Sequence, residues 1–440
     1  MRIPEAVLDA VAQLNAAGFE AYPVGGCVRD LLSGKQPHDW DLTTSATPDE
    51  MLAVFQNDRT VPTGLKHGTL TVIKGDVPLE ITTYRVDGNY ADGRHPDEVT
   101  FTRSLTDDLA RRDFTVNAMA WDIKNGVVDP FFGQEDLKKG IIRCVGDADT
   151  RFTEDALRIL RGLRFASVLG FEIEAKTATA MRRQKERLGL VSAERITEEM
   201  TKLLCGKAVD TVLDDYRDIL AFFIPEISPT FDLQQQNPHH IHDVFTHTLK
   251  AVAAVKAEPE LRWAMLLHDI GKAKCFTVDE DGIGHFYGHA SISEKMAKDI
   301  LARFRLSSKQ SERILRLIKY HDLPFPNERP MLLKRLHKFG EEICLQLLEM
   351  QDADCTAQAP EYRYRLEENQ RIRDELQRLC DEQACFSLKD LAVSGDDLLA
   401  AGVPAGRTIG KTLERLLTAV MDGRVENTRE ALLQLVRKET

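Results

Sequence analysis

The sequence predicts an α+β chain in which a small N-terminal unit with a mixed sheet precedes an all-α run that continues to the end. Between Ala21 and about Val145, short β-prone runs at 69–74, 79–83 and 99–102 alternate with turn clusters such as Asp87-Gly88-Asn89 and Asp92-Gly93-Arg94. After Thr153 apolar residues recur at helical spacing, broken only at 225–238, 279–284 and 324–330. The chain has 440 residues, 43% hydrophobic and 29% charged, which is too long for one core and too apolar for a disordered or low-complexity protein.

The first 19 residues space Val7, Leu8, Val11 and Leu14 as one face of a helix. Glu5 and Asp9 lie among them, which is not the basic-then-apolar layout of an export signal, so a cytoplasmic protein is expected. No apolar run approaches the roughly 18 residues a membrane helix needs, and no membrane partner is expected. Eight cysteines are scattered with no Cys-x-x-Cys spacing and read as reduced thiols. A net charge of −12 means that any nucleic acid must be held by a local basic surface. The proline-bearing polar stretch 225–238 reads as a linker, and a weaker boundary falls near 385–394.

A plausible strand at 21–24 runs into Gly25-Gly26 and then a helix opening with Val28-Arg29-Asp30. Glycines let backbone N–H groups approach a phosphate, and Arg29 adds a charge-assisted donor, although the same pattern also serves as ordinary turn chemistry. Further on, His38-Asp39-Trp40-Asp41-Leu42 sets two carboxylates two apart on a β-prone run, with Trp40 and Leu42 turned to the core. Such a pair suits Mg²⁺ in phosphoryl transfer, but two unrelated aspartates on a solvated strand edge would look the same in isolation. Glu80, on another strand, is a possible third carboxylate or simply an exposed-face residue.

Thr153-Glu154-Asp155 resembles a helix start, after which Asp155, Arg158, Arg161 and Arg164 recur every three residues on one face, with Leu157, Leu160, Leu163 and Phe165 inward. A carboxylate beside a guanidinium can pair with C or A rather than U or G, and it can equally be a surface ion pair. Residues 158–187 hold eight basic against three acidic side chains, a local basic surface or a solvated helix face. Eight of the twelve histidines (239, 240, 242, 247, 268, 285, 289 and 321) fall in one helical stretch. His247, His268-Asp269 and a later Asp352 or Asp354 supply imidazole and carboxylate donors suited to a divalent metal.

Gly25-Gly26-Cys27-Val28-Arg29-Asp30 followed by Asp39-x-Asp41 resembles the head motif of the polymerase-β superfamily, and more narrowly that of the class II tRNA nucleotidyltransferases, the CCA-adding enzymes. Asp92-Gly93-Arg94-His95-Pro96 is similar to that family's flexible loop, and Arg111-Arg112-Asp113-Phe114-Thr115-Val116-Asn117-Ala118 to its next block. The resemblance covers about residues 20 to 210. It implies Mg²⁺ at Asp39 and Asp41 and nucleotide contacts from Gly25, Gly26, Arg29, Arg112, Arg161 and Arg164. Glu154-Asp155-x-x-Arg158 then looks like the protein template that selects CTP and ATP for addition to the tRNA 3′ end. The loop likeness argues for full CCA addition; A-only addition and poly(A) polymerase activity are the alternatives within the family.

The histidine set resembles the HD phosphohydrolase superfamily, which implies a divalent metal of open identity at His247, His268, Asp269 and Asp354. His289 and His321 resemble the additional histidines that bind substrate or a second ion in some members. The implied layout is a nucleotidyltransferase head at 1–150, a helical neck at 151–225, an HD domain at 239–360 and a helical tail at 361–440. A phosphohydrolase on nucleotides or cyclic phosphates is either a second activity or, as the rival, the main one. No residue pattern bears on the oligomeric state.

Overall fold

The structure is a computed structural model that describes residues 3–87 and 99–439; the loop motif at 92–96 lies outside the described residues. The chain divides into two compact units, Met1–Pro225 and Glu226–Thr440. No helix among the described residues is long and apolar enough to cross a membrane. None of the eight cysteines is in a disulfide.

The first unit opens with helix α1 (Glu5–Ala16), whose buried Val7, Ala10, Val11 and Leu14 recur at helical spacing. Five strands follow: β1 (Ala21–Pro23), β2 (Asp41–Thr44), β3 (Arg59–Val61), β4 (Thr69–Lys74) and β5 (Val77–Thr83). They form one sheet in the order β1-β2-β5-β4-β3, with β2 parallel to β5 and the other pairs antiparallel. Leu70 and Val72 alternate inward on β4, and Leu79 and Ile81 on β5, so each strand presents one apolar face. They pack with Trp40, Leu42, Met51 and Phe55 into one core under α1. The predicted mixed sheet and the inward Trp40 and Leu42 are present, but Asp39 lies in a bend before β2 rather than on it. The chain bends there with Pro37 and Trp40 both buried.

Gly25 links β1 to helix α2 (Gly26–Leu32) at φ 77, a left-handed conformation that an L side chain rarely adopts. Helices Ala148–Glu154, Leu157–Leu169, Ala175–Gln184 and Ala193–Leu204 then complete the unit together with shorter ones. The expected helix start at Thr153 is corrected: one helix ends at Glu154, Asp155 is extended (φ −142, ψ 104), and the next begins at Leu157. The Asp155 carboxylate explains the break, because its Oδ1 accepts the Leu157 N–H at 3.0 Å and competes with helical pairing.

The second unit is helical apart from a two-stranded ribbon, Thr277–Val278 with Gly284–His285, at the predicted 279–284 break. Its core gathers Leu261, Trp263, Met265, Leu266 and Leu267 on the helix Pro259–Leu267, with Phe304 edge-on to Trp263 at 5.0 Å. The 225–238 stretch is not a solvated linker. Ile227, Thr230 and Gln235 are buried, and Gln235 Oε1 accepts from Lys272 Nζ at 2.9 Å. Short polar residues there satisfy buried groups, which composition alone does not distinguish from solvation.

Candidate active site and candidate metal centre

In the first unit, a cavity of about 710 Å³ is lined by Gly25, Gly26, Arg29, Asp39, Asp41, Arg112, Asp155, Arg158, Arg161 and Arg164. Residues nominated from four separate stretches of sequence therefore share one cleft. Arg111, Asp113, Asn117, Phe165, Arg195 and Lys202 also line it. Eight basic side chains against five acidic ones make the cleft locally positive in a chain of net charge −12, a field that favours a polyanion.

β2 begins at Asp41, and parallel pairing sets Glu80 of β5 in register beside it. Asp41 is open to the cleft yet surrounded by protein. This partial burial raises its pKa, Arg112 opposes the rise, and Glu80 and Asp39 add to it. Asp41, Asp39 and Glu80 so grouped offer hard oxygen donors, which fit Mg²⁺. A Cβ at Gly25 would stand 2.9 Å from Arg112 Nη1, so only glycine leaves the backbone and this guanidinium side by side. Arg112 Nε is buried without a hydrogen-bond partner.

The remaining cations are held in place. Arg29 donates to Asn117 Oδ1 at 2.7 Å and to Asp30 Oδ1 at 2.8 Å. Arg161 pairs with Asp113 at 2.7 Å and Arg164 with Glu199 at 2.6 Å. Arg164 Cζ lies 3.9 Å from the Phe165 ring centroid, a cation–π contact that fixes its plane. Asp155 and Arg158 both face the cleft, each held by a partner of its own. Arg158 donates to Glu154 Oε2 at 2.5 Å, whereas Asp155 Oδ2 accepts from Arg195 at 2.8 Å. The basic surface expected at 158–187 is largely neutralised: Arg183 pairs with Asp149, and Lys185 with Asp218. Those acids lie outside the window and escape a local charge count.

In the second unit, His247, His268, Asp269 and Asp354 bring one ligand atom each within 4.8 Å of one another, and Asp269, His289 and His321 form a second such group. Asp243 caps the helix Val244–Ala254 by accepting from Phe245 N and Thr246 N, which sets His247 on its first turn. His268-Asp269 ends the apolar helix Pro259–Leu267, and Asp354 projects from Glu341–Thr356. Asp352 faces elsewhere, accepting from Asn369 at 2.7 Å and Arg373 at 2.5 Å.

Each of the four histidines directs Nδ1 at a backbone carbonyl: Ala357 for His247, Met265 for His268, Phe286 for His289 and Ile318 for His321. A carbonyl only accepts, so Nδ1 carries the proton and Nε2 is the nitrogen presented to the cluster. His247 Nε2 lies 2.8 Å from Asp354 Oδ1, and His289 Nε2 lies 3.1 Å from His321 Nε2. Asp269 is ringed by Lys272 Nζ at 2.7 Å and His268 Nε2 at 3.1 Å, yet neither of its oxygens accepts a well-directed hydrogen bond. Burial would push His268 down, but Asp269 and Asp354 raise it to about 10. A buried acid–imidazole cluster that must take up a proton fits a divalent cation in its place. It opens on a cavity of about 440 Å³ that also exposes Lys272 and Tyr287. Lys272, like Arg195 and Glu199 of the first unit, was not nominated from sequence; it stands in the run Leu266 to Lys272, three residues beyond Asp269, the spacing that signals the contact.

Among known families, residues 21–143 match the model of the poly A polymerase head domain, 170–230 that of the RNA and SrmB-binding site of polymerase A, and 276–436 that of tRNA nucleotidyltransferase domain 2. The CCA-adding enzyme of Geobacillus kaustophilus is 34% identical over 434 residues, covering 97% of this chain and 95% of its own. That of Enterococcus faecalis is 33% identical, covering 98% and 94%. The crystal structure of the Bacillus stearothermophilus CCA-adding enzyme in complex with CTP superposes with a TM-score of 0.76 at 31% identity, covering 100% of this chain and 98% of that one.

Proposed function

Since the chain belongs to the CCA-adding enzymes, similar to its relatives along nearly its whole length, we propose that it adds CCA to the 3′ end of tRNA from CTP and ATP without a nucleic-acid template. The observation that carries this is the meeting of the Asp39/Asp41 pair, the Gly25-Gly26 turn and the Asp155/Arg158 pair in one locally positive cleft.

Asp39 and Asp41, with Glu80 beside them, would hold Mg²⁺. When bound, the ion lowers the charge barrier between an attacking hydroxyl and the α-phosphate. Arg29, Arg112 and the open backbone at Gly25-Gly26 steady the triphosphate, while the tRNA 3′ hydroxyl displaces pyrophosphate. Asp155 accepts from the exocyclic amino group of C or A, and Arg158 donates to a neighbouring ring acceptor; U and G present the reverse pattern. The proposed setting is cytoplasmic, in line with eight cysteines that form no disulfide.

The second unit carries a separate proposed activity, a metal-dependent phosphohydrolase with His247, His268, Asp269 and Asp354 as ligands. His289 and His321 would serve substrate or a second ion. The supporting observation is the buried cluster in which His268 Nε2 and both Asp269 oxygens lack well-directed partners.

The test of transfer uses the purified full chain with tRNA acceptors ending in no C, one C or two C, supplied with CTP or ATP singly and together. CTP alone should extend the first two acceptors to the two-C stage, and ATP should add one residue to the third. ATP addition to the third acceptor alone would make it an A-adding enzyme, and a run of A residues a poly(A) polymerase.

A further inference from the structure

Asp155 has to offer its carboxylate in a fixed plane if it is to read a base edge, yet it sits outside any helix, in the extended junction between Ala148–Glu154 and Leu157–Leu169. Two contacts define it. Oδ1 accepts the Leu157 N–H at 3.0 Å, and Oδ2 accepts from Arg195 Nη2 at 2.8 Å, with Nη1 3.5 Å from Oδ1. A single N–H contact leaves the carboxylate free to turn about Cβ–Cγ; the guanidinium as a second anchor does not. An ionised carboxylate has about four acceptor positions, and with three engaged by Leu157 and Arg195 one remains for an amino group of a nucleotide.

Arg195 is itself well placed to act as an anchor. It stands in the first turn of the helix Ala193–Leu204, which Ile196, Met200, Leu203 and Leu204 bury against the unit's core. One turn further along the same helix, the buried Glu199 holds Arg164 at 2.6 Å and lies 3.7 Å from Arg161. One rigid helix thus reaches three cleft residues from behind. The positive charge of Arg195 also offsets the repulsion between Asp155 and an incoming triphosphate.

We infer that Arg195 is a positioning residue for base selection, fixing the plane of the Asp155 carboxylate so that it accepts from C or A and rejects U. The inference rests on the proposed selector role of Asp155. Its signature is a change in discrimination, because an anchor that served only to hold the fold would lower transfer of right and wrong nucleotides together.

The experiment measures kcat/KM for CTP and for UTP with the full chain and tRNA lacking its CCA end, in wild type, Arg195→Ala, Arg195→Lys, Asp155→Ala and the Asp155→Ala/Arg195→Ala double variant. Arg195→Ala should lower the CTP:UTP ratio roughly tenfold, since a small misplacement of a positioning group has effects of this order or larger. Arg195→Lys, which keeps the charge and loses the fork, should fall between, and it reads the same ratio if the alanine variant folds poorly. In the Asp155→Ala background Arg195→Ala should change the ratio no further. An unchanged ratio in Arg195→Ala and Arg195→Lys beside a collapsed ratio in Asp155→Ala overturns the inference alone. A further drop in the double variant also overturns it, because Arg195 would then act without Asp155. A wild-type ratio in Asp155→Ala overturns the selector role and the inference with it.

Discussion

Asp113 Oδ2 lies 2.7 Å from Arg161 Nη2, tying the loop that follows the sheet to the helix Leu157–Leu169 behind the nucleotide cleft. Burial would raise the Asp113 pKa, but Arg161, helped by Arg158 and the Phe114 N–H, lowers it to about 2. The folded value is depressed, so this stabilisation is complete above the unfolded pKa of 3.8 and is lost as pH falls through about 2. It amounts to about 2 kcal/mol. Asp113→Asn should therefore be less stable than wild type by about that much at pH 7. The gap should narrow between pH 4 and pH 2, read by chemical denaturation at each pH; a gap of equal size throughout would rule out the linkage.

The two sites should be separable. Asp41→Asn and Asp39→Asn are each expected to lower transfer of labelled CTP and ATP to truncated tRNA by roughly 10²-fold or more, through loss of charge stabilisation. His268→Ala, in a separate compact unit, should leave transfer within about twofold of wild type, since it shares no partner with the Asp39/Asp41 site. The reverse pattern would reverse the assignment.

Arg158→Ala should loosen nucleotide choice, raising relative use of UTP and GTP on the order of tenfold, the value of one good base-edge contact. The side chain also reaches the Arg151 and Arg111 carbonyls at 3.3 and 3.1 Å, so some loss of stability is expected as well. Single-turnover incorporation with each nucleotide separates the two effects; unchanged discrimination would remove Arg158 from the selector.

The histidine cluster should bind a divalent cation in the full chain. Asp269→Asn, which removes the negative charge of the ligand common to both groups, should abolish that binding in equilibrium dialysis with Mg²⁺, Mn²⁺, Co²⁺, Ni²⁺ and Zn²⁺. Chelation of wild type should lower its Tm, since a cation bound only by the folded state stabilises it. Equal retention of every ion by Asp269→Asn and wild type would exclude the site.

Gly162 in the helix Leu157–Leu169 has no room for a side chain: a Cβ would collide with Met181 Cε and stand 3.0 Å from Phe114 Cζ. Gly162→Ala should destabilise by about 1–3 kcal/mol through overpacking, despite the better helix propensity of alanine. A rise in Tm would show that Met181 moves aside without strain.

The periodicities legible in the sequence were those with a single dominant cause. Leu70 and Val72 alternate because one face of β4 is buried, and α1 repeats its apolar residues because one stripe meets the core. Asp39, Asp41, Gly25 and Arg29 stood out because hard carboxylates and a glycine turn are narrow chemical requirements. The break at Asp155 was missed because a local helix signal, Thr153-Glu154, was outweighed by one side-chain acceptor bonded to Leu157 N. Arg195 and Glu199 were missed because on a one-dimensional chain they look like a solvated helix face, and only the burial of Glu199 distinguishes them.

By itself the sequence determined the α+β order, the helical continuation and the two sets of chemically restrictive side chains, since short-range sterics, hydrophobic periodicity and donor type act within a few residues. Tertiary structure decided which charges meet: Arg195 with Asp155, Arg161 with Asp113, and Asp269 with both histidine groups. Coulombic and hydrogen-bond energies depend on distances of a few ångströms, here between residues 40 and 48 positions apart in the first two pairs, and only the folded packing sets those distances.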